Sequence, residues 1–373
     1  MLIRRASEGR PGRSRRMSNA AGRHQHSSEY LPFSPMTTDV LNFHFSIVTR
    51  LALAIPALLM AGQGCSSRSD TQLERADGLQ LTPVSVQLNW YPEVEHGGVY
   101  EALVNGAYQD RNLAVEIKPG GRETPVAPEL LLGRSQFAIT NADDVVLFRA
   151  QGADIVAVFA AAQNNPRCLL VRADSGVEGF DDLAGITLQC QPGRAFLPFL
   201  RKRGFLDEVR EVPYFNSIAG MVDDPKMAVQ AYVVAEPILA RQQGVDVRTL
   251  MVSDLGWNPY SSVLVTTGTL IRESPELVRD FVAATKTGWA DYLASPQLAN
   301  EAILKANTHG MTADVLQFGA EQMRPLAYPT ESTELGEMTL PRWQELVDQM
   351  KEIEVIGPDA VRAEDCFTDE FLP

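Results

Sequence analysis

The chain is poor in the residues that most often carry chemistry. It holds 4 cysteines and 5 histidines in 373 residues. Beyond residue 65 only His96 and His309 remain, and Cys168, Cys190 and Cys366 form no CxxC and no cluster with histidine. That excludes a zinc site of the usual ligand spacing. Cys168 and Cys190 each fall on an expected strand. Two buried free thiols are the expectation, with a disulfide as the alternative an exported chain allows. No GxSxG, HExxH or GK[ST] occurs, so hydrolase, zincin and P-loop chemistry find no support. No carboxylate pair stands out for glycoside hydrolysis. Basic charge is also scarce. Residues 1–65 hold eight Lys/Arg and three Asp/Glu of the 33 and 47 in the chain, which leaves the remainder at a net −19. An acidic body argues against nucleic acid as a partner. No cofactor is implied.

Long apolar runs are absent too, with one informative exception. Residues 1–35 are rich in Arg, Ser, Gly and His without apolar period, as in a disordered segment or an upstream extension, and Met17 and Met36 are alternative starts. Arg50 then precedes LALAIPALLMA, residues 51–61. Eleven apolar residues are too few to span a bilayer and suit the core of a signal peptide. Gly64-Cys65-Ser66-Ser67 follows and resembles the lipobox of bacterial lipoproteins, in which the cysteine becomes the lipidated N-terminus. Residues 1–65 thus read as leader and signal peptide, and 66–82 as a polar tether.

From residue 83 short apolar, often β-branched runs alternate with helical periods. Strands are expected at 84–89, 113–117, 136–140, 155–161, 168–172, 186–190, 228–235, 247–252 and 261–266. Helices are expected at 97–111, 126–133, 143–151, 195–204, 216–222 and 236–243, then at 274–294, 296–308, 312–323 and 340–354. Pro275 after Ser274 and Pro296 after Ser295 mark two helix starts. This is an α/β pattern with two parallel-sheet lobes and a helical C-terminal region. The spacing divides it into lobe 1 over 83–175, lobe 2 over 176–256, and a return to lobe 1 over 257–373. Two crossovers make a hinge, and ligands in such folds bind at the carboxyl ends of strands.

Those strand ends carry aromatic, amide and carboxylate groups: Trp90, Glu95 and His96; Asn141 and Asp143; Gln163; Glu236; Trp257 and Tyr260. Such a set can stack on and hydrogen-bond a heteroaromatic ring. Trp90 suits either stacking on a ligand or packing on the neighbouring helix. His96, before Gly97-Gly98, suits a ligand contact at a helix start or a cap. Asn141 and Asp143 suit capping, ligand contact or both. Glu236 follows the apolar run AYVVA, where an unpaired carboxylate is costly, and is the sharpest candidate.

Several segments in order resemble the NMT1/THI5-like and alkanesulfonate-binding solute-binding proteins. They are LNWYPEVEHGGVYEAL from residue 88, PGG at 119–121, ELLLGRSQFAITNADDVVLFRAQG at 129–152, IVAVFAAAQNNP at 155–166, GFDDLAGITL at 179–188, VVAEPILARQQG at 233–244 and YSSVLVTTGTLIRESPELVRDFVAATKTGW from residue 260. The resemblance implies a periplasmic-binding-protein fold of the second type. It also implies a monomer in the periplasm, delivery to an ABC permease and ATPase, and, with Cys65, attachment to the membrane by a lipid. The opening segment looks most like the branch that binds thiamine-pyrimidine precursors, and other relatives bind riboflavin, alkanesulfonate or taurine. By residue match, Trp90, His96, Tyr100, Asn141 and Glu236 would line the cleft, with Asp143, Gln163 and Tyr260 beside them. A related enzyme makes the pyrimidine from its own histidine and pyridoxal phosphate using a cysteine-rich iron motif. That motif is missing here, so the expectation is a binder and not an enzyme. Glu93 and Glu95 stand where neutral polar residues are more usual, which disfavours an anionic sulfonate.

Overall fold

The computed structural model describes residues 80–373; the leader, the apolar run, Cys65 and residues 66–79 of the tether lie outside them. Ten strands are present in this part: β1 (Thr82–Gln87), β2 (Leu113–Lys118), β3 (Phe137–Thr140), β4 (Ile155–Ala162), β5 (Arg167–Arg172), β6 (Thr187–Cys190), β7 (Arg210–Pro213), β8 (Met227–Tyr232), β9 (Val247–Met251) and β10 (Ser261–Thr267). They form two five-stranded sheets of order β2-β1-β3-β10-β4 and β7-β6-β8-β5-β9.

The expected parallel pairings hold for β1 with β2 and β3, and for β6 with β7 and β8. Each sheet also takes one antiparallel strand. β10 runs opposite to β3 and β4, and β5 opposite to β8 and β9. The reason is topological. The chain leaves β4 and β9 at the ends that face the other sheet, and the next strand starts at that same end without a returning helix. The first crossover therefore lies between Ala162 and Arg167, and β5, placed by spacing in the first lobe, pairs in the second sheet.

Strands covered on both faces read as continuous apolar runs. All four residues of β3 are buried, as are seven of eight in β4. Behind the first sheet, helix Gly97–Val104 packs against Pro275–Ala294, and Phe137 of β3 stacks on Phe281 at 3.9 Å. A Cβ on Gly97 would enter the Tyr292 ring, one on Gly98 the Trp289 indole, and one on Gly288 the Gly98 carbonyl. Gly97-Gly98 thus serves close helix packing; the helix start is filled by aromatic rings.

Three local differences from the sequence pattern have simple causes. The helix expected over 97–111 ends at Val104, followed by Gly106 at φ +87°. β7 was not apparent because Arg-Glu-Val-Pro has no fully buried residue and lies on a sheet edge. A helix at Gly268–Glu273, capped by the Thr267 hydroxyl accepting from Leu270 N–H, directly follows β10. Cys168 on β5 and Cys190 on β6 are separated by β8, so about 10 Å of sheet lies between their strands. Cys168, Cys190 and Cys366 are buried free thiols.

Candidate functional site

The ends of β1, β3, β6, β7 and β8 and the starts of β5 and β10 meet around one cavity of about 620 Å3, counted to its open mouth. The first sheet contributes Asn89, Trp90, Glu93 and Glu95 from the loop after β1, Asn141 after β3, and Ser261 and Ser262 from β10. The second contributes Arg167, Gln191, Arg194, Tyr214, Gln230, Tyr232 and Glu236. Strand ends converge there because their last residues have left the sheet ladder and can turn polar side chains inward.

Trp90 is held from behind. Gly120 N–H donates to its carbonyl at 3.0 Å, and a Cβ on Gly120 would collide with the Leu88 carbonyl. The glycine of PGG thus lets that loop close on the Leu88–Trp90 backbone. Asn141 does not cap the helix that follows it. Its Oδ1 accepts from the Ser261 hydroxyl at 2.7 Å and its Nδ2 donates to the Tyr232 hydroxyl at 3.3 Å, which bridges the two sheets. Arg122 also bridges them, donating to the Tyr214 carbonyl at 2.9 Å.

Glu236 begins helix Glu236–Gln242. Its carboxylate accepts the Tyr232 N–H at 2.8 Å and the Tyr214 hydroxyl at 3.2 Å. Burial raises its pKa, opposed by those hydrogen bonds and by Arg167. Burial also pushes Glu95 up to about 7, helped by the Glu236 charge, and lifts Glu93 well above the carboxylate range, helped by Glu95 and Glu236. Three acids therefore crowd one cavity. Arg167 opposes them and lies 4.2 Å over the Tyr232 ring. Arg194, also in the lining, donates to Gln191 Oε1 at 3.1 Å and lies 3.6 Å from Asp144.

The expected site residues part into three groups. Trp90, Asn141 and Glu236 line the cavity together. Asp143 lies in a small adjoining recess of about 270 Å3 with Arg194, Tyr232 and Trp257, where burial pushes its carboxyl up to about 7. His96, Tyr100, Gln163 and Tyr260 are not brought to the cavity wall. His96 is fully buried; its Nδ1 accepts the Glu93 N–H at 3.3 Å, so its Nε2–H donates to Asn89 Oδ1 at 3.1 Å. Burial holds it neutral, with a pKa lowered to about 3. It positions Asn89, which lines the cavity. Tyr100 faces the apolar core of the first lobe, as the period of a packed helix requires. Gln163 and Tyr260 belong to the crossovers: Gln163 Nε2 donates to the Glu337 carbonyl at 2.9 Å, and Tyr260 Oη accepts the Thr339 N–H at 3.0 Å.

Asn89, Arg167, Gln191, Arg194, Tyr214, Gln230, Tyr232, Ser261 and Ser262 were not singled out from sequence. Asn89, Arg167, Gln191 and Ser261 sit at or beside the ends of strands that were correctly read, which is a usable signal. Tyr214 follows the edge strand that the pattern did not reveal. Among the described residues no group of three or more His, Cys, Asp or Glu is arranged to hold a metal ion.

Two α/β sheets that close a polar and aromatic cavity between their strand ends define the two-lobed periplasmic-binding-protein class. The fold is shared with the aliphatic sulphonate binding protein SsuA of Escherichia coli, at a TM-score of 0.60 and 15% identity over 76% of this chain and 91% of that one. A model of the family described as NMT1/THI5 like matches residues 93–299, more than half of the chain. The chain belongs to that family. It is 27% identical over 308 residues to the riboflavin-binding protein RibY of Chloroflexus aurantiacus, covering 79% of this chain and 87% of that protein. It is 22% identical over 328 residues to the formylaminopyrimidine-binding protein of Halalkalibacterium halodurans, covering 85% and 97%. It is also 21% identical over 239 residues to a 4-amino-5-hydroxymethyl-2-methylpyrimidine phosphate synthase of Legionella pneumophila, covering 60% and 73%.

Proposed function

We propose that this protein is an extracytoplasmic solute-binding protein that captures a small nitrogen heterocycle and delivers it to an ABC permease and its ATPase. The preferred solute is a thiamine-pyrimidine precursor such as hydroxymethylpyrimidine or formylaminopyrimidine. The observation that carries this reading is the cavity itself. Trp90 from one sheet and Tyr214 and Tyr232 from the other line it together, with Asn141 and Glu236 among its hydrogen-bonding groups. Aromatic faces supply stacking area and the polar groups fix orientation. The formylaminopyrimidine-binding relative, matched over 85% of this chain, supports the same reading, and the riboflavin-binding relative, matched over 79%, supports the solute-binding role.

A synthase is disfavoured by the lining. It contains no lysine to form an aldimine with pyridoxal phosphate and no cysteine, and His96 is buried behind Asn89. One observation favours riboflavin as a second reading. Beyond Trp90, Glu93, Tyr214 and Glu236 a further space of about 520 Å3, counted to its open mouth, leads toward Leu239, Met311 and Val315, where a substituent of a larger ring could extend.

On this reading the protein works at the outer face of the cytoplasmic membrane, as a monomer anchored through a lipid on Cys65. Globomycin tests that part: unprocessed precursor should accumulate, and unchanged processing would remove the anchor. Native mass spectrometry of the exported protein tests the ligand. A co-purified pyrimidine or flavin, lost in Glu236→Ala and Trp90→Ala, is the expected result. A bound sulfonate with no pyrimidine or flavin binding would overturn the reading.

A further inference from the structure

Five buried side-chain polar atoms have no hydrogen-bond partner among the described residues, and two of them belong to residues that line the cavity: Glu95 Oε2 and Ser262 Oγ. Glu95 is 7% exposed and Ser262 3%. Buried carboxylate and hydroxyl oxygens are normally satisfied, and an unsatisfied one that lines a cavity is a group a ligand can satisfy. Glu236 differs, since both of its carboxylate oxygens already accept hydrogen bonds. Ser262 is anomalous in a second way. Its φ is +51°, a conformation that costs a side-chain-bearing residue energy and that glycine would adopt freely. A strained residue whose hydroxyl has no partner gains nothing for the fold.

We propose that Glu95 and Ser262 are the specificity-determining edge of the cavity, receiving the N–H-bearing edge of the solute, an exocyclic amine or a ring N–H. The inference rests on the solute-binding reading and adds to it which residues select the ligand and by what chemistry. Glu95 accepts the N–H at Oε2, and the Ser262 hydroxyl, lining the same cavity, offers a second donor or acceptor. An anionic group has no N–H to offer, so it leaves Glu95 Oε2 without a partner and is disfavoured there. The charged and titratable groups that face Glu95 are Glu93 and His96 from its own segment, Arg167 from β5, Glu236 from its helix and Tyr292 from Pro275–Ala294. An N–H donor favours ionised Glu95, so binding near neutral pH is accompanied by proton release.

The test uses titration calorimetry on wild type, Glu95→Gln, Ser262→Ala and Ser262→Gly, with two probes: 4-amino-5-hydroxymethyl-2-methylpyrimidine and riboflavin. For whichever probe the wild type binds, Glu95→Gln should weaken binding about tenfold or more. It should also abolish the proton release seen between buffers of different ionisation heat at pH 7. Ser262→Gly should raise the melting temperature of the ligand-free protein while weakening binding as Ser262→Ala does, a combination that a merely structural serine would not give. Wild type that binds a probe, with all three variants binding it equally, overturns this inference and leaves the solute-binding function standing. Wild type that binds neither probe overturns both.

Discussion

The Arg342 guanidinium lies 3.9 Å over the ring of Tyr260 and donates to backbone carbonyls on both crossovers, Gln163 at 2.6 Å and Asn258 at 2.9 Å. Its other terminal nitrogen reaches Gln163 Oε1 at 3.1 Å. The crossovers are stitched to each other as well, through Asn258 Nδ2 to Asn164 Oδ1 at 2.9 Å and Asn165 N–H to Asn258 Oδ1 at 2.8 Å. A helix of the C-terminal region, Leu340–Glu352, thereby pins the hinge. Arg342→Ala would leave two carbonyls and an amide oxygen without their donor. The expected loss is about 2–4 kcal/mol in urea unfolding. Small-angle scattering of the ligand-free variant should also show a more open particle. An unchanged scattering profile would limit Arg342 to stability.

His96 sets an acid limit. Its folded pKa of about 3 lies below the ordinary 6.5 because burial penalises the cation. Below pH 6.5 the unfolded chain takes up a proton that the folded protein refuses. Stability contributed by this residue is complete above 6.5 and falls toward pH 3, by about 1.4 kcal/mol per pH unit. Urea midpoints measured from pH 7 to pH 4 should therefore drop less steeply in His96→Gln than in wild type. Because the Nε2–H also orients Asn89, the same variant should bind solute more weakly.

Glu95 acts with the opposite sign. Its pKa rises from 4.5 to about 7 on folding. Between these values the folded protein holds a proton that the unfolded chain has lost. Stability is complete below pH 4.5 and is lost as pH rises through 7, on the order of 3 kcal/mol by pH 8. Glu95→Gln removes that loss. Its melting temperature without ligand should exceed that of wild type at pH 8 and match it near pH 4.5; a lower value at pH 8 would contradict the burial argument.

The glycine contact between helices Gly97–Val104 and Pro275–Ala294 tolerates no side chain. A Cβ at Gly98 would overlap the Trp289 indole, which is itself 1% exposed and has nowhere to move. Gly98→Ala should cost about 1–3 kcal/mol as overpacking, read from chemical denaturation. Gly106→Ala is the contrast. Nothing lies within 4 Å of that added Cβ, and only its φ of +87° opposes the change.

Thiol reactivity checks the cysteine assignment. Cys168, Cys190 and Cys366 are buried, and burial pushes Cys190 and Cys366 up to about 12 and Cys168 further. Thiolate is the reactive form, so a disulfide-exchange reagent should label none of the three quickly in the folded protein and all three in denaturant without prior reduction. A requirement for reductant would mean a disulfide.

Nine of the ten strands were legible from apolar runs, because their buried residues are local in sequence. So were the helix starts at Pro275 and beside Pro296, where the N-terminal signal lies within a residue or two. The site was legible in part. Trp90, Asn141 and Glu236 stood out because each directly follows a recognisable strand. Gln163 and Tyr260 also flank strands, His96 and Tyr100 lie at and in the helix after β1, and nothing in their neighbours in the chain reveals which way they turn. His96 is turned inward by Glu93 and Asn89, Tyr260 by Arg342 more than eighty residues away.

The amino-acid sequence by itself determined the α/β alternation, the places where strands end in polar residues, the acidic body and the family. Each of these depends on residue type and short-range period. The tertiary structure alone decided which strand ends share a cavity. It also decided that β5 and β10 run against their neighbours, that Gly97-Gly98 receives aromatic rings, and that His96 lies behind the cavity wall. Those outcomes depend on contacts between segments tens to hundreds of residues apart, and the direction of a side chain is settled by what fills the space beside it.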